Sequence, residues 1–181
     1  MEEQQPPGQI EVGASLADGD LRYWRAKEAV RQGELRLSEQ AAIRTALEAR
    51  ATAITGWASA SLLAVTAASF TATNWIARGA GVTAALALFS AAVVGIYSAR
   101  PRDWSMRGYD PTIIIEDTLG TELEVLESIA KGLNPGIQAN NKRLDGMGAM
   151  LRWSGGLLIA APAIGVIAYL IGLAIASRQA V

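Results

Sequence analysis

A carboxylate-rich segment between residues 100 and 152 holds side chains that could carry chemistry. Asp103, Asp110, Glu116, Asp117, Glu122, Glu124 and Glu127 share it with Arg100, Arg102, Arg107, Lys142, Arg143 and Arg152. Adjacent acids such as Glu116 and Asp117 could offer oxygen ligands to a divalent ion. Acids three apart on a helix, like Glu124 and Glu127, more commonly form a solvated face. The chain contains neither Cys nor His, which removes thiolate ligands, disulfides and the commonest general base. No nucleophile–base arrangement, glycine-rich phosphate loop or metal-spaced cluster is present in the sequence. The expectation is a protein that is not an enzyme and carries no metal and no cofactor.

The basic residues offer other chemistry. Arg100, Arg102, Arg107, Lys142, Arg143 and Arg152 could gather to hold an anion, a nucleotide or a lipid headgroup. Asn134, Asn140 and Asn141 would add hydrogen-bonding capacity. Topology and anionic lipid also account for arginines beside a membrane, so both readings stand. Hydroxyls form a second set: Thr52, Thr55, Ser59, Ser61, Thr66, Ser69, Thr71 and Thr73. They could line a weakly polar path in an oligomer, or return hydrogen bonds to their own helix backbone.

The elements that must position these groups are apolar. Residues 51–77, 79–99 and 153–177 contain no charged side chain. Each stretch exceeds the roughly 20 helical residues needed to cross a bilayer core of about 30 Å. The chain is 51% hydrophobic and 18% charged, below the roughly 25% charged of soluble domains. The predicted fold is therefore an all-α membrane protein with three transmembrane helices: a hairpin of 51–73 and 79–99, plus a single C-terminal span at 153–176. Trp57 and Trp75 suit the aromatic belts at the membrane interfaces. With a net charge of -1 and no basic run, no nucleic-acid partner is expected.

The flanking segments complete the layout. Residues 1–15 read as a disordered, acidic tail without signal-peptide character. Residues 16–50 form a cytoplasmic helical segment that continues into the first span. Gly33 is expected to end a first helix, and Ser38 to cap a second. Residues 100–152 form a cytoplasmic helical insert. In it, Thr121 and Glu124 make a capping box for a helix that Gly132 and Asn134-Pro135-Gly136 end. A further helix starts near Ile137, with Gly146 and Gly148 as weak points. The apolar–acidic run at 112–117 could be a strand or a tucked turn. Pro162 could kink the last span, and residues 177–181 form an external tail.

Two stripes of small residues mark close helix packing: Ala91, Gly95 and Ala99, and Gly165, Ala168 and Gly172. Such stripes let helix backbones approach where lipid supplies no hydrophobic drive. They could serve self-association or packing within the chain. Charge sets the orientation. Only Arg78 and Arg178 lie on one side of the three spans, and all 17 acidic residues lie on the other. The expected location is the inner membrane, and the positive-inside rule places the N-terminus in the cytoplasm and the C-terminus outside.

The sequence "ALEARATAITGW", containing Glu48 and Arg50, leads into the hairpin, and "NNKRLDGMGAMLRWSG" at 140–155 leads into the last span. This layout resembles the small bacterial membrane effectors of anti-phage defence, of the SLATT and Pycsar-effector kind. The resemblance implies assembly in the inner membrane after a nucleotide-type signal, and impairment of that membrane. It places Asn141, Lys142 and Arg143 near the sensing or coupling region, with sensing done by a partner or by residues 101–152. Two functions are expected from the sequence. The first is a membrane effector that oligomerises and permeabilises the bilayer. The second is a scaffold or accessory subunit that anchors a cytoplasmic or membrane partner.

Overall fold

The computed structural model describes residues 9–101, 103–106 and 120–179, with side chains described from residue 19 onward. Among the described residues the chain is an all-α bundle of three helices: α1 (Gln9–Thr71), α2 (Trp75–Ala99) and α3 (Glu122–Gln179). Each is long and apolar enough to cross a membrane. Large apolar side chains face outward along them, including Trp57, Leu63, Phe70, Leu86, Ile159 and Leu170. In water such a surface would be unstable; in lipid it is the expected outer face. This is a multi-pass membrane protein.

The chain divides into two compact units. The first joins residues 1–41 with 104–141, and the second joins 42–103 with 142–181. Helices α1 and α3 contribute to both. Fewer breaks occur than the sequence leads one to expect. α1 begins at Gln9, inside the stretch read as a disordered tail, and runs through Gly33 and Ser38. A Cβ at Gly33 would stand 2.7 Å from Leu133 Cδ1, so this glycine admits a neighbouring helix instead of ending its own. Ser38 is not a cap: its hydroxyl donates to the Leu35 carbonyl one turn back, at 2.8 Å.

α3 likewise continues through Gly132, Asn134-Pro135-Gly136, Gly146, Gly148 and Pro162. Pro135 and Pro162 each lack an N–H for the carbonyl four residues earlier, yet neighbouring bonds hold the helix. The Thr121–Glu124 capping box is present at its start, with Thr121 N–H donating to Glu124 at 3.2 Å and Glu124 N–H to Thr121 at 3.3 Å. The run at 112–117 lies outside the described residues.

In the first unit, α1 and α3 pack in parallel around Leu37, Leu133 and Ile137, flanked by Ile129. Arg22 forms a two-point ion pair with Glu127, at 2.6 and 2.9 Å, and the Tyr23 hydroxyl donates to Glu122 at 2.8 Å.

The second unit is built on small residues. Ala58, Ala91 and Ala92 form its buried core, with Leu157 and Leu158 packed against it. The hairpin between α1 and α2 is tight. Asn74 caps α2 by accepting from Ile76 N–H at 2.9 Å. Arg78 Nε donates to the Ala72 carbonyl at 2.6 Å, which satisfies an acceptor that the end of α1 leaves without a helical partner.

Candidate functional site

Three features of the described structure combine polar chemistry with a defined shape. The first is a buried amide cluster in the first unit. Asn140 is fully buried, and Gln40 nearly so. Asn140 Nδ2 donates to the Ser105 carbonyl at 2.9 Å and to Gln40 Oε1 at 3.2 Å. Its Oδ1 accepts from Ser105 N–H at 3.2 Å. Gln40 Nε2 donates to the Ile137 carbonyl at 3.0 Å and to Asn141 Oδ1 at 2.7 Å.

Backbone groups fix the orientation of both amides. The Ile137 carbonyl can only accept, so the Gln40 amino group must face it, and the Gln40 oxygen then requires a donor from Asn140. Asn140 in turn grips the Ser105 backbone at both its N–H and its C=O. One turn earlier on α3, Gly136 leaves room for Ser105, whose Cβ would lie 3.0 Å from a Cβ added there. The sequence "PGIQANN" is therefore a cradle for Ser105. No buried side-chain polar atom among the described residues is left without a partner.

The second feature is an open groove between α1 and α3 in the same unit, of about 680 Å³, with Gln32, Arg36, Lys131 and Asn134 on its walls. Gly33, Leu133 and Ile137 form its apolar floor. It presents two cations and two amides, a set suited to an anion with hydrogen-bonding groups. Nearby acids are already engaged. Arg31 and Gln32 bond to Glu28 and hold its carboxyl at about 2. The Arg22 pair holds Glu127 below the usual carboxylate range. The Glu122 hydrogen bond pushes the Tyr23 phenol up. Sequence reasoning missed this groove because Arg36 and Lys131 are far apart in the chain. The available signal was the single cation that each helix stripe places beside an apolar position.

The third feature lies in the second unit, where Arg100, Pro101, Asp103 and Arg143 line a shallow depression of about 470 Å³. Of the basic residues predicted to gather, the structure brings Arg100 and Arg143 together. Arg100 also lies over the Tyr97 ring, 4.8 Å from its centroid. Asp103 offsets part of their charge. Lys142 and Arg152 are exposed on α3 and do not line this depression. Arg102 and Arg107 lie outside the described residues. Asn140 and Asn141, read as ligand groups, are instead taken up by the amide cluster.

The small-residue stripes are packed within the chain. Ala91 and Gly95 are buried in α2, and Ala99 is half-buried. A Cβ on Gly95 would collide with the Thr55 hydroxyl and stand 3.3 Å from Ser154 Oγ. Gly165 meets Ala84 of α2, and Gly172 meets Ile76. Ala168 is half-buried between them in sequence. Two hydroxyls cross between α2 and α3: Ser154 Oγ donates to the Ala91 carbonyl at 2.7 Å, and Ser98 Oγ to the Met147 carbonyl at 3.3 Å. In α1, Thr52, Ser69 and Thr71 return bonds to their own backbone.

Among the described residues, no cluster of three or more acids has metal-binding geometry. Comparison with protein-family models, with curated proteins and with solved structures returns no match.

Proposed function

We propose that this protein is a non-enzymatic effector of the inner membrane that binds an anionic intracellular signal, oligomerises and perturbs or permeabilises the bilayer. One observation carries the reading: α1 and α3, which close the amide cluster and the Arg36–Lys131 groove, are themselves two of the helices able to span. An anion that alters how these helices pair would act directly on elements that reach the lipid. Charge asymmetry supports an N-terminus in the cytoplasm and a C-terminus outside. The resemblance to SLATT and Pycsar-type effectors supports a nucleotide-type signal. With Ala91 and Gly95 occupied within the chain, self-association would use the outward apolar faces.

The test is dye uptake and membrane depolarisation in cells expressing the full chain under induction, with and without phage infection. An Arg36→Ala/Lys131→Ala variant serves as comparison, since both side chains are exposed and neither is part of the packed core. Leakage in the parent that the variant loses supports the proposal. Absence of leakage in every condition overturns it.

A second reading is an anchor or accessory subunit for a partner protein. It is favoured by Leu21, Trp24 and Leu35, which are exposed in the first unit, outside the apolar stretches. Trp24 is 60% exposed, and an exposed tryptophan is a common anchor at interfaces. A stoichiometric partner that survives gentle detergent extraction and is lost with Trp24→Ser would support this reading.

A further inference from the structure

The end of the second unit that carries the hairpin turn has a feature that neither function uses. Leu62, Thr66, Ser69 and Phe70 of α1 and Arg78, Val82, Ala85, Leu86 and Phe89 of α2 line a cleft of about 430 Å³. On each helix these residues recur at three- and four-residue spacing, so each contributes one continuous face. From Arg78 to Phe89 the cleft runs about 16 Å along α2, at about 1.5 Å per residue. Its walls are apolar and face outward: Phe70, Val82, Leu86 and Phe89 are all exposed. Its floor is closed near the turn, where Gly81 lets the backbone of α2 approach the Ser69 hydroxyl.

Arg78 lies at the mouth. Its Nε is committed to the Ala72 carbonyl, which fixes the guanidinium beside the cleft, and the residue as a whole remains exposed. No carboxylate occurs between Glu48 and Asp103, and no ion pair among the described residues includes Arg78. An apolar slot about three turns long, ending in a fixed and unneutralised cation, is complementary to one kind of molecule. We infer that this cleft binds an anionic phospholipid, with one acyl chain between Phe70 and Leu86 and the headgroup phosphate on Arg78.

The experiment is native mass spectrometry of the full chain, released from gentle detergent after exposure to equimolar anionic phosphatidylglycerol and zwitterionic phosphatidylcholine. The chain should retain one phosphatidylglycerol in preference to phosphatidylcholine by about fivefold, the usual scale for one basic side chain at an anionic lipid surface. Arg78→Gln keeps a donor for the Ala72 carbonyl but loses the charge, and should abolish the preference. Ala85→Trp fills the cleft while leaving Arg78 and the turn intact, and should abolish retention of either lipid. Equal retention of the two lipids by the parent overturns the inference, as does retention unchanged in Ala85→Trp. If Arg78→Gln cannot be extracted, Arg78→Lys takes its place and must preserve the preference.

Discussion

The two units join the same pair of helices by different means. In the first, α1 and α3 meet through large aliphatic side chains, a buried amide cluster and exposed ion pairs. In the second, alanine, glycine and serine bring them close to α2 and each other, with leucines packed alongside and hydroxyls donating directly to backbone carbonyls. The difference follows from the solvent. In water, removing Leu133 and Ile137 from contact with solvent drives association at about 25 cal/mol per Å². In lipid the surroundings are as apolar as leucine, so association depends on close backbone approach and short polar bonds. Many large side chains of the second unit accordingly face outward, while its buried positions mix alanine, glycine and serine with a few large residues such as Ile76, Leu88 and Met147.

The largest expected effect is at Asn140. Truncation to alanine would leave Ser105 N–H, the Ser105 carbonyl and the Gln40 oxygen without their partner, at a site where Gln40 is buried and Ser105 half-buried. At roughly 1–3 kcal/mol for each unsatisfied group, with partial relaxation, the loss is about 3–5 kcal/mol. It would be read from chemical unfolding of the detergent-solubilised chain followed by circular dichroism. A loss below 1 kcal/mol would mean that aliphatic packing alone holds the first unit. Gly95→Leu should be next, at about 1–3 kcal/mol, because the added side chain meets Thr55 and Ser154. Gly148→Ala is the matched control: open space surrounds it, so stability should be unchanged or slightly higher.

How much of this was legible in the sequence depends on how local the signal is. The three spans are contiguous runs without charge, and the Thr121–Glu124 box is a four-residue pattern; both can be read directly. Gly33 and Asn134-Pro135-Gly136 were misread as helix ends because a glycine that ends a helix and one that admits a neighbour look alike in one dimension. Only the position of Leu133 opposite Gly33, and of Ser105 opposite Gly136, distinguishes them. For the same reason Asn140 was read as a ligand group: its partners, Gln40 and Ser105, are 100 and 35 residues away. The small-residue stripes were legible as packing faces, but their partners were not.

A smaller effect is expected for the hydroxyl that joins α2 to α3. Ser154 donates to the Ala91 carbonyl, which as part of a helix already accepts an N–H. Ser154→Ala therefore leaves no buried group wholly unpaired. The loss should be about 0.6 kcal/mol, the mean for interhelical side-chain bonds in a membrane protein. It should be measured alongside Asn140→Ala under the same conditions. Comparable losses at the two positions would remove the distinction drawn between the units.

Acid should separate the units with the smallest effect of all. Glu127 has its folded pKa lowered from 4.5, first by hydrogen bonds from Arg22, and Glu28 is held at about 2 by Arg31 and Gln32. A carboxylate whose folded pKa is depressed stabilises the fold fully above its unfolded value, and that contribution is lost as pH falls through the folded value. Stability should thus decline modestly from about pH 5 toward pH 2, since exposed pairs contribute little. Both carboxylates that are held low, Glu28 and Glu127, lie in the first unit, so the decline belongs there. Hydrogen exchange at pH 3 should show faster opening around residues 22–28 and 122–131, with protection retained around Ala58 and Ala91. The Glu127→Gln variant should be slightly less stable at neutral pH and show a flatter acid profile. Equal acid loosening in both units would mean that their helices are held by one common set of charges, against the division argued from Asn140 and Gly95.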